Sequence, residues 1–270
     1  MTERAEPGIS VAGLIAGART TVRTMADLLW PPLCSVCPRC LPLVRDPHDP
    51  AAHFCSDCLE ELEFMPQAGC PVCGRPFFNR EAHVCGDCLA APPAYQSARS
   101  ALVYAGAAAR SIIRLKYYGE KTQIKTLSAL AEQRLAAPFL SPGGEPEPDL
   151  IVPMPITARR LAERGFNQAL ELARSLYRPW RNLIDENVLT RPEDGDVHQA
   201  ALSADDRRKA IRGCFKVPEP SKIRGAVVLL FDDVLTTGAT AGEAARTLLA
   251  AGAARVEVVT VARTILSDWR

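Results

Sequence analysis

The sequence predicts an α/β protein, a parallel sheet with flanking helices, preceded by a small cysteine-rich module. Three observations carry this reading. Nine of the ten cysteines fall between positions 34 and 88. Beyond Pro92-Pro93 only Cys214 remains, and the texture changes. There, short apolar runs alternate with helical patterns, the signature of strand–helix–strand units joined by right-handed crossovers. With 270 residues, 47% of them apolar and 23% charged, the chain can bury a sizeable core.

Taken in order, Val11–Trp30 places apolar residues at Val11, Leu14, Ile15, Val22, Met25, Leu28 and Leu29, a roughly helical spacing that Pro31-Pro32 ends. The first region, 1–30, is therefore expected to be an amphipathic helix packed on the rest of the chain rather than attached to a membrane. The cysteine module follows at 31–93 and the α/β domain at 94–270. Within the latter, Ala98–Tyr104 reads as a strand, and Ala107–Tyr118 and Thr126–Ala137 as helices. Ser141–Pro148 reads as a surface loop, Leu150–Val152 as a short strand, and Asn167–Tyr177 as a helix. Ala226–Phe231 is a continuous apolar strand, Ala239–Ala251 a helix, and Val256–Ala262 a last strand.

The cysteines form four C-x-x-C pairs: Cys34/Cys37, Cys55/Cys58, Cys70/Cys73 and Cys85/Cys88. One such pair grips a metal ion from a tight turn, and two pairs complete a tetrahedral all-sulfur site. Four pairs make two structural Zn²⁺ sites, closed to substrate. Consecutive pairing closes shorter loops than a cross-braced arrangement and is favoured on chain entropy. Cys40 forms an overlapping C-x-x-C with Cys37 and is an alternate for Cys34. His48, His53 and His83 are expected to be solvated loop residues, because all four positions of each site can be filled without them. A disulfide framework is the rival reading. Against it, Met1–Ser10 carries Glu3, Arg4 and Glu6, and the apolar patch Val11–Ile15 is short and lacks a cleavage pattern. No window approaches the ~18 apolar residues of a membrane span. A cytoplasmic chain with reduced thiols is the expectation.

The 32 Lys+Arg against 31 Asp+Glu give a formal charge of +1. That balance excludes a globally basic nucleic-acid binder and leaves room only for a local patch. The sharpest chemical signal follows the Ala226–Phe231 strand: Asp232-Asp233-Val234-Leu235-Thr236-Thr237-Gly238-Ala239-Thr240. Open α/β sheets bind ligands at the carboxyl ends of their strands. Thr236–Thr240 enters a helix, so its amides and hydroxyls can hold a phosphate at the positive helix end, and Gly238 permits close backbone approach. Adjacent unpaired carboxylates are costly in a core and suit the two vicinal hydroxyls of a ribose.

This segment resembles the 5-phosphoribosyl-1-pyrophosphate (PRPP) motif of type I phosphoribosyltransferases. With the rest of the chain it resembles the ComF (competence protein F) family, which joins a cysteine-rich zinc module to a phosphoribosyltransferase-type domain. Further matching pieces are Leu115-Lys116-Tyr117-Tyr118-Gly119, Ile151-Val152-Pro153-Met154-Pro155, Arg159-Arg160-Leu161, Arg164-Gly165-Phe166-Asn167-Gln168, Gln199–Ser203 and Arg207–Phe215. The resemblance runs from about residue 26 to 264. It departs from the pattern at Ala210, where many relatives have Asn, at Cys214, read as buried packing, and at the extra thiol Cys40.

The resemblance implies that Asp232 and Asp233 hold the ribose hydroxyls and are the catalytic pair, and that Thr236, Thr237, Gly238, Ala239 and Thr240 cradle the 5′-phosphate. It places the Pro153-Met154-Pro155 loop at the pyrophosphate. Arg159, Arg160 and Arg164, in what reads as one flexible segment, suit bidentate phosphate contact, with Lys116 beside them. Mg²⁺ is expected to arrive with PRPP, held mainly by the ligand's oxygens. Three functions follow from the same residues. The first is pentosyl transfer to an acceptor in DNA uptake or nucleotide metabolism. The second is a non-catalytic PRPP or nucleotide sensor. The third is a factor whose zinc module and Arg159–Arg164 touch single-stranded DNA, or that meets DNA-uptake proteins. The acids Asp57, Glu60, Glu61, Glu63 and Asp87 in the zinc region weigh against the third.

Overall fold

The computed structural model describes residues 31–42, 49–77, 83–135, 148–192 and 211–265. The expected N-terminal helix, His48, Gln199–Ser203, Ala210 and most of the Ser141–Pro148 loop lie outside the described residues. No described helix is long and apolar enough to cross a membrane.

Two short helices belong to the cysteine module, α1 (Ser56–Glu60) and α2 (Gly86–Ala90). The remainder runs β1 (Ser97–Val103), α3 (Gly106–Tyr118), α4 (Thr122–Leu135), β2 (Leu150–Pro153), α5 (Ala158–Arg164), α6 (Gln168–Leu176), β3 (Val227–Leu235), α7 (Ala239–Ala250) and β4 (Arg255–Arg263). The four strands form one parallel sheet in the order β1-β4-β3-β2. Helix α4 packs across β1 and β4 and α6 across β2 and β3, the two helices touching each other, while α7 packs on β3 and β4. Burial on both faces explains the nearly unbroken apolar text of the central strands. Val228, Leu229, Leu230 and Phe231 are all buried, and the Phe231 ring meets Tyr177 edge-on at 5.9 Å between centroids.

Three elements depart from the sequence reading. Strand β3 does not end at Phe231 but runs on to Leu235, because β4 continues the ladder beside it, pairing Asp232 with Thr260, Val234 with Ala262 and Leu235 with Arg263. The acid pair therefore sits inside a strand, not in the loop after it. On the other side β2 stops at Pro153, opposite Phe231, so Asp232–Leu235 outrun their neighbour and border a notch at the carboxyl end of the sheet. Helix α4 begins at Thr122 rather than Thr126. Its first turn reads as polar, yet Gln123 is buried and donates from Nε2 to the carbonyl of Ser35 at 2.6 Å. Arg159–Arg164, expected to be flexible, is helix α5, capped by Thr157, whose hydroxyl accepts from the Arg160 N–H at 3.3 Å.

The cysteine module docks on this framework rather than hanging from it. Phe64 bridges to Leu102 of β1, and Cys34, Val36, Leu41, Phe54, Cys55 and Cys58 share one continuous core with the sheet and its helices.

Candidate functional site

The eight predicted cysteines gather into two sets, Cys34/Cys37/Cys55/Cys58 and Cys70/Cys73/Cys85/Cys88, each with its sulfurs within 4.8 Å of one another. This is the consecutive pairing. A tetrahedral ion with Zn–S bonds of about 2.3 Å separates its sulfurs by roughly 3.8 Å. The Cys37–Cys55 and Cys73–Cys85 sulfur separations are 3.6 and 3.7 Å, so the donor sets fit the ion.

The two centres are built alike. In each, the third cysteine opens a short helix and its amide donates to the first cysteine's sulfur: Cys55 N–H to Cys34 Sγ at 3.4 Å, and Cys85 N–H to Cys70 Sγ at 3.4 Å. Burial alone would raise the Cys34 thiol, but amide donors led by Cys55 and Val36 outweigh it and bring it down to about 7. Cys70, buried likewise and served by the amides of Cys73, Cys85 and Val72, comes down to about 6. Both are thereby ready to ligate as thiolates. Each module also pairs an arginine of the first turn with an aspartate of the second, Arg39–Asp57 at 2.6 Å and Arg75–Asp87 at 2.5 Å. Cys40 is exposed and stands outside both sets, and His83 stacks on Phe77 at 3.9 Å. Cys214 is buried packing, its thiol raised by that burial.

The second site is the notch at the strand ends. Asp233 is 3% exposed and forms an ion pair with Lys116 near the end of α3. That pairing is how a carboxylate survives in the core. Burial would raise Asp233, yet Lys116 holds it below the usual carboxylate range. Burial would likewise depress Lys116, and the charges of Asp233 and Asp232 carry it above its ordinary value instead. Asp232, half-buried, accepts the Asp233 N–H at 2.8 Å; burial and its charged neighbour push it well above the ordinary aspartate value. The adjacent acids therefore have unequal tasks: one is neutralised by the protein and the other stands at the notch.

Thr236 and Thr237 are exposed, and Gly238 caps α7 with φ +79°, a conformation that glycine adopts without strain. The other motifs connect to β3 or to one another. Met154 N–H donates to the Phe231 carbonyl at 2.7 Å, seating the buried Pro153-Met154-Pro155 loop beside β3. Asn167 caps α6 through the amides of Ala169 and Leu170 and donates from Nδ2 to the Met154 carbonyl at 3.1 Å. The Arg164 guanidinium lies 5.5 Å from the Tyr117 ring and donates to Gln168 Oε1 at 2.9 Å. Arg159 reaches Glu163 on its own helix at 3.9 Å. Lys116, the 153–155 loop and Asn167 thus gather at the end of β3, with Arg164 against Tyr117, the residue after Lys116.

Three neighbours carried no sequence signal. Tyr104 follows β1 and feels Lys116 and Asp233; burial is the main cause raising its phenol. Tyr95 is buried against Gly238, its phenol raised to about 12 chiefly by that burial. Arg263 ends β4 with 8% exposure and donates to the Cys73 carbonyl.

Residues 25–89 match the family model of a double zinc ribbon domain. The chain is 34% identical over 197 residues to the DNA utilization protein YhgH of Escherichia coli K12, covering 73% of this chain and 84% of that one. It is 28% identical over 227 residues to competence protein F of Haemophilus influenzae (83% and 96%). With competence protein ComFC of Bacillus subtilis it shares 29% over 227 residues (80% and 86%). The chain belongs to the ComF family. Its two four-cysteine centres are the structural zinc sites of a ComF-type double ribbon, standing beside a parallel sheet whose strand ends carry the acid pair.

Proposed function

We propose that the notch binds PRPP, in a protein that serves DNA uptake or use. The observation that carries the reading is the acid pair at the overhanging end of β3, followed at once by a positive-φ glycine and the amino terminus of α7. The turn 236–240 offers amides and hydroxyls to a 5′-phosphate at the positive end of a 12-residue helix. Asp232, raised by burial and by its charged neighbour and not paired with Lys116, is the acid available to ribose hydroxyls. A magnesium ion carried on the pyrophosphate oxygens would offset the charge repulsion between Asp232 and Asp233. Lys116 is committed to Asp233 and stays cationic, so it is no general base. In pentosyl transfer the residues here would position the sugar and stabilise the positive charge that develops at its anomeric carbon. The names of the relatives, DNA utilization and competence proteins, support the cellular role.

Calorimetry with PRPP and Mg²⁺ tests the site. Asp232→Asn is the cleaner variant, because changing Asp233 also strands Lys116. Wild type is expected to bind and Asp232→Asn to bind at least tenfold more weakly, since a hydrogen-bonded charge contributes about 1.5–3 kcal/mol. Zinc-loaded, folded wild type that takes up no PRPP refutes the reading. Release of pyrophosphate in the presence of candidate acceptors separates transfer from sensing.

A second reading rests on a different surface. Tyr117 and Tyr118 are 71% and 73% exposed beside Arg164, with Arg159 and Arg160 on the same helix as that arginine. Exposed aromatic rings among arginines suit stacked bases of single-stranded DNA. Binding there is expected to weaken with salt and with Tyr117→Ala, and to survive Asp232→Asn.

A further inference from the structure

We propose that the second zinc centre is the outer support of the phosphate loop, and that Arg263 and Tyr95 are the positioning residues through which it acts. That the loop holds a phosphate is the reading given above; the support itself is a matter of contacts.

The Cys70–Cys73 turn is fastened to the sheet at several points. The Val72 carbonyl accepts from the Ala98 N–H of β1 at 2.8 Å. Gly74, at φ +71°, approaches so closely that a Cβ would lie 2.5 Å from the Ala98 carbonyl oxygen. Arg263, buried at the end of β4, spends Nη1 on the Cys73 carbonyl. A zinc ion held by four thiolates would leave a net double negative charge on the centre, part of which the buried guanidinium alongside it would offset. Arg263 also lies in register with Leu235, the last residue of β3 before the loop, and the next amide, Thr264 N–H, donates to the Leu235 carbonyl at 2.9 Å.

Tyr95 completes the path. It follows Cys88 on the short segment leading into β1, and its neighbour Gln96 is pinned to the Val256 carbonyl at 2.8 Å. Its hydroxyl rests against Gly238: a Cβ there would lie 2.8 Å away. The Cys70–Cys73 turn is therefore tied through Arg263 to the end of β3, and Tyr95 lies against Gly238, the residue whose left-handed conformation shapes the turn.

The two zinc centres differ in what else holds them. The first shares the main core and is clamped by α3, with Arg110 Nη2 at 3.7 Å from Cys58 Sγ and Arg114 Nη1 on the Val36 carbonyl at 2.9 Å. The second forms a separate small cluster in which, among the described residues, its own cysteines pack with only Val72, Phe77 and Val84. So few apolar groups cannot order a turn alone, and metal-binding energy does the ordering. Emptying the second centre should therefore loosen the loop, and emptying the first should not.

Hydrogen exchange of the full-length zinc-loaded protein reads this without any ligand. Amides of 236–240 are expected to exchange about tenfold faster in Arg263→Met and in Tyr95→Phe, and faster still in Cys85→Ser, which lacks the second ion. Cys55→Ser, lacking the first ion, is expected to leave them unchanged, and Arg263→Lys to restore part of the protection. By linkage, PRPP with Mg²⁺ should slow release of one of the two zinc ions to a chromogenic chelator, an effect absent in Arg263→Met. If Cys85→Ser fails to fold, the Arg263 and Tyr95 variants still carry the test. Unaltered exchange at 236–240 in both of those variants overturns the proposal. Faster loop exchange in a protein that takes up no PRPP supports the proposal and removes only the phosphate reading.

Discussion

Replacing Lys116 with methionine removes the cation that allows Asp233 to sit in the core, while keeping most of the side chain's volume. Side-chain exposures are 4% for Asp233 and 19% for Lys116, so the carboxylate cannot reach water and the ammonium partly can. Breaking a buried pair from one side costs about 3–5 kcal/mol, because a charge is left uncompensated. The partial exposure of Lys116 puts the expected loss for Lys116→Met near the low end, about 3 kcal/mol, or a fall in Tm of roughly 6–12 °C for a domain of this size. Asp233→Asn should cost less, since the stranded ammonium can turn toward solvent. Lys116→Met/Asp233→Asn should recover much of the loss, leaving a coupling between the two changes. The pH dependence carries the sign. Asp233 has a folded value below its ordinary one, so its contribution is present above the unfolded value and is lost as pH falls through the folded one. Lys116 is raised, so its contribution is present below its ordinary value and is lost at still higher pH. In wild type the pair is therefore constant across neutral pH. In Lys116→Met, Asp233 protonates more readily and the deficit shrinks on acidification. Urea denaturation of the four proteins between pH 5 and 8 measures all of this. A Lys116→Met protein as stable as wild type, or a double variant no better than that single one, refutes the reasoning.

Three further outcomes are expected. Asp232 is raised in the fold by burial and by Asp233, so its ionised carboxylate is a burden that is absent at low pH and present at high pH; Asp232→Asn should be more stable than wild type at pH 8, with the advantage fading toward pH 4 in urea titrations. Chelator titration of denatured protein should release two zinc ions per chain from wild type and from Cys40→Ser, and one from Cys55→Ser or Cys85→Ser. Asn167→Ala loses both the α6 cap and the tie to the Met154 carbonyl, and should cost about 1–2 kcal/mol by thermal unfolding.

Much of this was legible in the chain. The C-x-x-C spacing is a local geometric requirement of a tetrahedral ion, so eight ligands could be named without a fold. The acid pair and the Thr236–Thr240 turn are contiguous and follow an apolar strand, which places them at a sheet's carboxyl end. Less legible was anything settled by a partner distant in sequence. The extension of β3 to Leu235 depends on β4, and the early start of α4 depends on Gln123 meeting Ser35. The helical state of Arg159–Arg164 was hidden by a short, highly charged segment with no apolar stripe of its own.

What the sequence determined by itself, then, was chemistry carried by contiguous residues: two sulfur cages, a parallel sheet, and an acidic strand end leading into a threonine- and glycine-containing turn. The tertiary structure alone decided how those acids divide their work. Asp233 and Lys116 are far apart along the chain, and only the fold, in which α3 packs on α4 and α4 on the sheet, makes one aspartate a buried counter-ion and leaves the other at the notch. The same holds for Arg263 and Tyr95, unremarkable in the text: burial makes the Arg263 charge costly and it finds the Cys73 carbonyl across the fold, while the neutral Tyr95 phenol comes to lie against Gly238.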